Sequence, residues 1–171
     1  MRVGLLPVGS LPPTLLDELS TELAAYRVEL ERLPASKVPE EAFDPRRRKY
    51  RAESFLRRQS AAPGETVLAV TTVDLFSEGL DFVFGLADVG GDRAVVSVRR
   101  LAAADPHLLS ARLLKECVHE LGHTWGLPHC EDAACVMHFS NSIEETDAKT
   151  ARFCATCTRS LPDGVTSPAN P

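Results

Sequence analysis

An α/β fold with a parallel layer follows from three features of the sequence. The N-terminal stretch reads strand, helix, strand, an order that favours parallel pairing through a helical crossover. Thr66 to Val73 (TVLAVTTV) is β-branched and nearly continuous, the pattern of a central strand buried on both faces. The chain has 171 residues, the size of one domain, enough to bury a core without disulfides.

In chain order, residues 2–8 (RVGLLPV) form an apolar run ended by Gly9-Ser10 and predict a first strand. Pro12 and Pro13, then Leu15, Leu16, Leu19 and Leu23, predict an amphipathic helix to about Ala25. Tyr26 to Leu33 alternates apolar and charged residues, the period of a half-buried strand. Residues 34–50 are rich in Pro and charge and read as a solvated loop; the run Arg46, Arg47, Arg48, Lys49 is otherwise suited to an anionic partner. A helix over about 51–60 is stopped by Ala62-Pro63-Gly64.

Phe82-Val83-Phe84 and Ala94 to Val98 flank Gly85 and the turn Gly90-Gly91-Asp92, which predicts two strands joined by a loop. Asp105-Pro106 is an N-cap followed by Pro at the first helical position, opening a helix that runs through Trp125 and stops at Gly126. Ser142-x-x-Glu145 has the form of a capping box, predicting a last helix that ends near Phe153. Residues 1–161 then make a single domain, and 162–171 (PDGVTSPANP in its last ten positions) a flexible tail.

Composition removes several classes of function. Apolar residues make up 44% and charged residues 25% of the chain, ordinary values for a globular protein. A formal net charge of −5 disfavours nucleic acid or an anionic membrane as partner. No apolar run approaches the about 18 residues of a membrane span. The first residues are interrupted by Gly4, Pro7 and Gly9 and lack the form of a secretory signal, so a cytoplasmic, monomeric protein is expected. All five cysteines fall at or after Cys117. In a reducing compartment such a cluster points to metal rather than to disulfides.

The chemistry lies in His119-Glu-Leu-Gly-His-Thr-Trp-Gly-Leu-Pro-His129. Residues four apart on a helix share a face about 6 Å apart along the axis, so His119 and His123 can bind one metal ion from the same side. Glu120 adjoins the first of them, where its carboxylate can take a proton from a water that the metal activates. Gly126 can adopt a positive φ, end the helix and turn the chain so that His129 supplies a third ligand. Two identities beyond HExxH, Gly126 and His129, make a chance match on an exposed helix face rare. The pattern is the metzincin signature, which a methionine turn follows, and Met137 is eight residues past His129.

Cys130, Cys135, Cys154 and Cys157 form a C-x4-C and a C-x2-C pair, a set that closes a tetrahedral zinc shell and marks a structural site; two disulfides are the alternative. Cys117 is two residues before His119, roughly 200° round the helix, and faces away from the catalytic metal. His138 and His107 have no metal role in this scheme, and Trp125 packs against the core side of the helix or the Met turn, with a substrate-pocket role as the alternative.

Taken together, HExxHxxGxxHC-x4-C-x-M followed by CxxC resembles the archaemetzincins. The resemblance covers residues 119–157, with weaker likeness at FVFGLAD (82–88). It implies a compact metzincin-like fold: a twisted, mostly parallel sheet with an antiparallel edge strand, an active-site helix, and a C-terminal Met-turn and zinc-bound subdomain. It places that edge strand near Ala94 to Arg99, paired with an extended substrate. It also implies Met137 as an apolar base beneath the three imidazoles. The expected function is a zinc metallopeptidase acting on peptides or proteins, with Glu120 as general base and two Zn2+ per chain, one catalytic and one structural. A peptide-binding scaffold that keeps the metals with little turnover is the alternative.

Overall fold

The computed structural model describes residues 1–168. Nine strands and five α-helices follow along it: β1 (Arg2–Val8), α1 (Pro13–Leu23), β2 (Glu29–Arg32), β3 (Phe43–Asp44), β4 (Lys49–Arg51), α2 (Ala52–Arg58), β5 (Glu65–Thr71), β6 (Leu75–Ser77), β7 (Leu80–Val83), β8 (Gly85–Ala87), β9 (Arg93–Ser97), α3 (Pro106–Thr124), α4 (Ile143–Ala148) and α5 (Ala155–Arg159). The main sheet has the order β2-β1-β5-β9-β8. Its first four strands are parallel and β8 runs antiparallel to β9. This is a mixed α/β fold with mixed sheets.

Period-two alternation divides the sheet residues between two apolar clusters. Val3, Leu5, Leu68, Val70, Ala94 and Val96 face the layer of α1 and α3. Val8, Ala69 and Val95 face the other way, onto Phe55 and Leu56 of α2. With both faces covered, β5 is buried from Thr66 to Thr71, which is why its sequence is a continuous β-branched run. On α1, Leu15, Leu16, Leu19 and Leu23 are buried; each contributes about 1.5–3 kcal/mol of apolar burial.

Several expectations are corrected. Ala94 to Arg99 is not the edge: β9 lies between β5 and β8, and the terminal antiparallel strand is β8. Residues 43–51 are not a plain loop. They form the hairpin β3–β4, which joins β6 and β7 in a second sheet of order β3-β4-β6-β7. The strands are two and three residues long, too short for periodicity to register. Arg46 to Arg48 form its turn, with Arg48 at φ 55° and Arg47 paired to the exposed Asp81. The last predicted helix starts with Ser142 as N-cap but stops at Ala148, short of Phe153.

The expected flexible tail meets the domain in part. Val165 is buried in the main cluster, and Thr166 N–H donates to Tyr26 O. Residues 169–171 of that tail lie outside the described residues. Among the described residues, no helix is long and apolar enough to cross a membrane.

Candidate active site

Helix α3 begins where the sequence placed it, with Pro106 in its first turn and the Asp105 side chain accepting from His107 N–H. Its second half, Glu116 to Thr124, is buried on all sides. The chain leaves α3 through paired bonds: Leu127 N–H to Gly122 O (3.0 Å) and Gly126 N–H to His123 O (2.9 Å), with Gly126 at φ 87°. This is a Schellman closure, and it needs the left-handed conformation that glycine adopts without a Cβ penalty. The reversal returns His129 to the helix face that carries His119 and His123.

The three rings converge. His123 and His129 have centroids 4.7 Å apart, and His119 and His129 stack at 5.4 Å. One ligand atom from each lies within 4.8 Å of the others. His119 Nδ1 is 2.8 Å from Val136 O, and His123 Nδ1 is 2.8 Å from Leu127 O. A carbonyl only accepts, so both Nδ1 atoms carry the proton and both Nε2 atoms present lone pairs. Those two Nε2 atoms face each other at 3.1 Å.

Two lone pairs at that distance repel unless a cation sits between them. Nitrogens about 2.0–2.1 Å from a tetrahedral zinc are about 3.3 Å apart, so the donor set fits that ion. Burial holds the pKa of His119 well below 6.5 and lowers those of His123 and His129. The neutral, ligating form is therefore favoured at neutral pH.

Glu120 is buried beside this triad, and burial, then the neighbouring Glu116, push its carboxyl well above the usual range. Space for it comes from Gly85 on β8. A Cβ built there would stand 2.6 Å from Glu120 Oε1 and 2.7 Å from its Cγ. Gly122 does the same for Met137, which is fully buried against the helix: a Cβ at Gly122 would collide with Met137 Sδ. Behind Glu120, the buried Lys149 pairs with Glu116 at 3.0 Å, and Thr146 Oγ1 donates to the same carboxylate at 3.2 Å.

Gly85, Glu116 and Lys149 were not singled out from the sequence. Glu116 had a usable signal, since it is one turn before Glu120 on the same helix face. A lone Gly in a strand and a lone Lys past a helix have none.

The four cysteines form a second cluster with ligand atoms within 4.8 Å of one another. Cys130 and Cys154 Sγ are 3.8 Å apart, matching the about 3.8 Å between thiolates at about 2.3 Å from a tetrahedral zinc. All are free thiols. Backbone N–H groups of Cys154 and Cys157 point at Cys135 and Cys154 Sγ, 3.3 and 3.5 Å away. The bond from Cys157 N–H helps bring the Cys154 thiol down to about 7. Cys117, by contrast, is fully buried and its thiol is pushed well up by that burial. His138 Nδ1 is spent on Cys130 O at 2.9 Å. Trp125 packs on Phe153, ring centroids 6.1 Å apart.

With this geometry in view, a family model described as peptidase family M54 matches residues 9–163. This chain belongs to peptidase family M54. Among its relatives, the archaemetzincin of Methanopyrus kandleri is 42% identical over 151 residues, covering 86% of each chain. That of Archaeoglobus fulgidus is 44% identical over 132 residues, covering 77% of this chain and 81% of the relative. The crystal structure of the Archaeoglobus archaemetzincin complexed with malonate superposes with a TM-score of 0.88 at 39% identity, covering 94% of this chain and all (100%) of the other. A zinc-dependent peptidase from Methanocorpusculum labreanum gives 0.82 at 30% identity, covering 94% and 100%. The chain is thus an archaemetzincin and a zinc metallopeptidase.

Proposed function

We propose that this archaemetzincin hydrolyses peptide bonds with one zinc ion held by His119, His123 and His129, while a second, held by Cys130, Cys135, Cys154 and Cys157, is structural. The observation that carries the reading is the pair of imidazole lone pairs facing each other at 3.1 Å, with both Nδ1 protons committed to carbonyls. Bound zinc supplies Lewis acidity, polarising a carbonyl and making water a stronger acid.

The protein supplies the rest. Glu120 accepts the proton of the attacking water and passes it to the leaving amine. Its burial supports that role, because a raised pKa makes the carboxylate a stronger base near neutral pH. The substrate lies extended along β8, which has a partner strand on one side only and so offers a row of backbone groups to a peptide. Met137, buried against Gly122, is the apolar base of the histidine site.

Glu120→Gln tests the mechanism, since Gln keeps the shape of Glu but cannot act as a base. The variant should retain both zinc ions and its thermal stability, yet lose at least about a hundredfold in peptide hydrolysis, on the scale of lost general-base help. His123→Ala should instead lose only the histidine-bound zinc. Wild-type turnover by the Gln variant would rule out Glu120 as the base.

A further inference from the structure

The two faces of the main sheet are covered unequally. One carries α1 and the 19 residues of α3, with the histidine ligands; the other carries α2, which has seven residues. The part of that second face that α2 leaves open is walled by residues 33–39. Main-chain bonds hold this wall to β1 and its end: Leu33 N–H donates to Leu5 O at 3.0 Å, Ser36 N–H to Pro7 O at 2.8 Å, and Gly9 N–H to Ser36 O at 2.9 Å. Between sheet, wall and the end of α2 lies a cavity of 570 Å³. Leu6 and Val8 of β1 and Val67 and Ala69 of β5 line it, with Phe55 of α2.

Two polar features distinguish this cavity from a packing gap. Gln59, the residue after α2, lines it and is only 6% exposed. Its Nε2 donates to Ala94 O at 2.9 Å. Its Oε1 is buried with no hydrogen-bond partner among the described residues. An acceptor in that position bears the desolvation cost until a donor reaches it. The second feature is charge. No Asp or Glu is among the lining residues, although the chain carries a net −5. Arg58 lines the cavity but is engaged by Glu41 at 3.3 Å. Lys37, exposed at the rim, is in no ion pair among the described residues.

We infer that this cavity is a second ligand site, which takes the C-terminal residue of a short peptide ending in an apolar side chain. Such a residue brings one group for each feature. Its side chain lies on Leu6, Val67 and Phe55, its amide N–H donates to Gln59 Oε1, and its free carboxylate meets Lys37. An alkanoic acid would cover the apolar floor and reach Lys37 but has no donor for Gln59. A terminal Glu would bury a charge against apolar side chains without a partner. The sheet stands between this cavity and the histidines, so the site depends neither on zinc nor on the peptidase reading.

The test titrates zinc-loaded, 15N-labelled full-length protein with acetyl-Ala-Leu, its C-terminal amide, its N-methyl-Leu analogue and octanoate. Kd is read from the backbone amide shifts of residues 33–37 and 58–60. Acetyl-Ala-Leu should move those signals. N-methylation of Leu should weaken binding about tenfold, the cost of leaving a buried acceptor unpaired. Amidation should weaken it about two- to fivefold, the range of an exposed ion pair. Lys37→Ala should erase the difference between acid and amide, and Gln59→Met the difference between N–H and N-methyl, with zinc content as in wild type. Gln59→Met also removes the bond to Ala94 O, so if it fails to fold, the ligand series on wild type and Lys37→Ala decides. Unmoved signals in those residues, equal Kd for the three peptides, or tighter binding of octanoate than of acetyl-Ala-Leu would overturn the site. None of these outcomes bears on peptide hydrolysis, which is read separately.

Discussion

Around Glu120, room matters as much as charge. The strand that a substrate would pair with passes so close to this carboxylate that only a residue without Cβ fits at Gly85. The added methyl of Gly85→Ala points at Glu120 and not along the strand edge. The variant should therefore bind peptide with little change in KM and lose kcat by about a hundredfold, the cost of a ~1 Å misplacement in a catalytic arrangement. Steady-state kinetics with metal analysis reads this; an unchanged kcat would mean that Glu120 shifts freely and that the close approach has no catalytic meaning. Gly126 is a contrasting case. A Cβ there meets no atom within 4 Å, so Gly126→Ala costs only the left-handed conformation at φ 87°, about 1–2 kcal/mol. Thermal unfolding should fall by roughly 2–8 °C, and the zinc held by His129 should exchange faster.

One face of α3 organises the elements behind the site through charge. Arg112 makes two 2.6 Å bonds to Asp147, Lys115 donates to Thr146 O and Asp147 O at 3.0 Å, and Glu116 pairs with Lys149. These positions, three and four apart, clamp α4 and the residue after it against the helix. Lys149→Met alone strands a buried carboxylate and should destabilise the protein by about 3–5 kcal/mol; restoring neutrality with Glu116→Gln should recover most of that, because the pair is worth little net. Denaturant unfolding of the single and paired variants decides it. The cysteine cluster acts on the same elements. Cys130 N–H bonds Met137 O, and Val136, whose carbonyl meets His119, donates its N–H to Arg152 O. Cys154→Ser should thus raise hydrogen exchange across residues 130–157 and loosen the histidine site. Protection equal to wild type would remove the cysteine cluster as the support of that segment.

For the molecule as a whole, the three histidines set a direction with pH. Each has its pKa lowered by burial, so the native state binds fewer protons than the unfolded chain below the usual 6.5. Their contribution to stability is complete above about 6.5 and declines as pH falls from there toward the depressed native values. Metal-free protein should show a falling Tm over that range, and chelator should strip the histidine-held zinc faster there than at pH 8. A Tm flat from 8 to 5 would mean that these rings are not buried in their neutral form.

Much of this protein was legible before any fold was known. HExxHxxGxxH carries its own geometry, because a helical turn spaces His119 and His123 and a left-handed glycine brings back His129. The cysteine spacing and the strand–helix–strand order are likewise local, as are the Asp105 and Ser142 caps. What depends on distant pairing was not legible. Which strand ends the sheet turned on β8 adding to β9, a pairing between short segments that pattern cannot register. The hairpin β3–β4 is stabilised by β6 across the sequence, and local composition there reads only as charged loop. Gly85 and Lys149 have meaning only through residues tens of positions away. Spacing along one helix brings the imidazoles of His119 and His123 together because the helix is rigid; packing between elements depends on shapes that no single segment encodes.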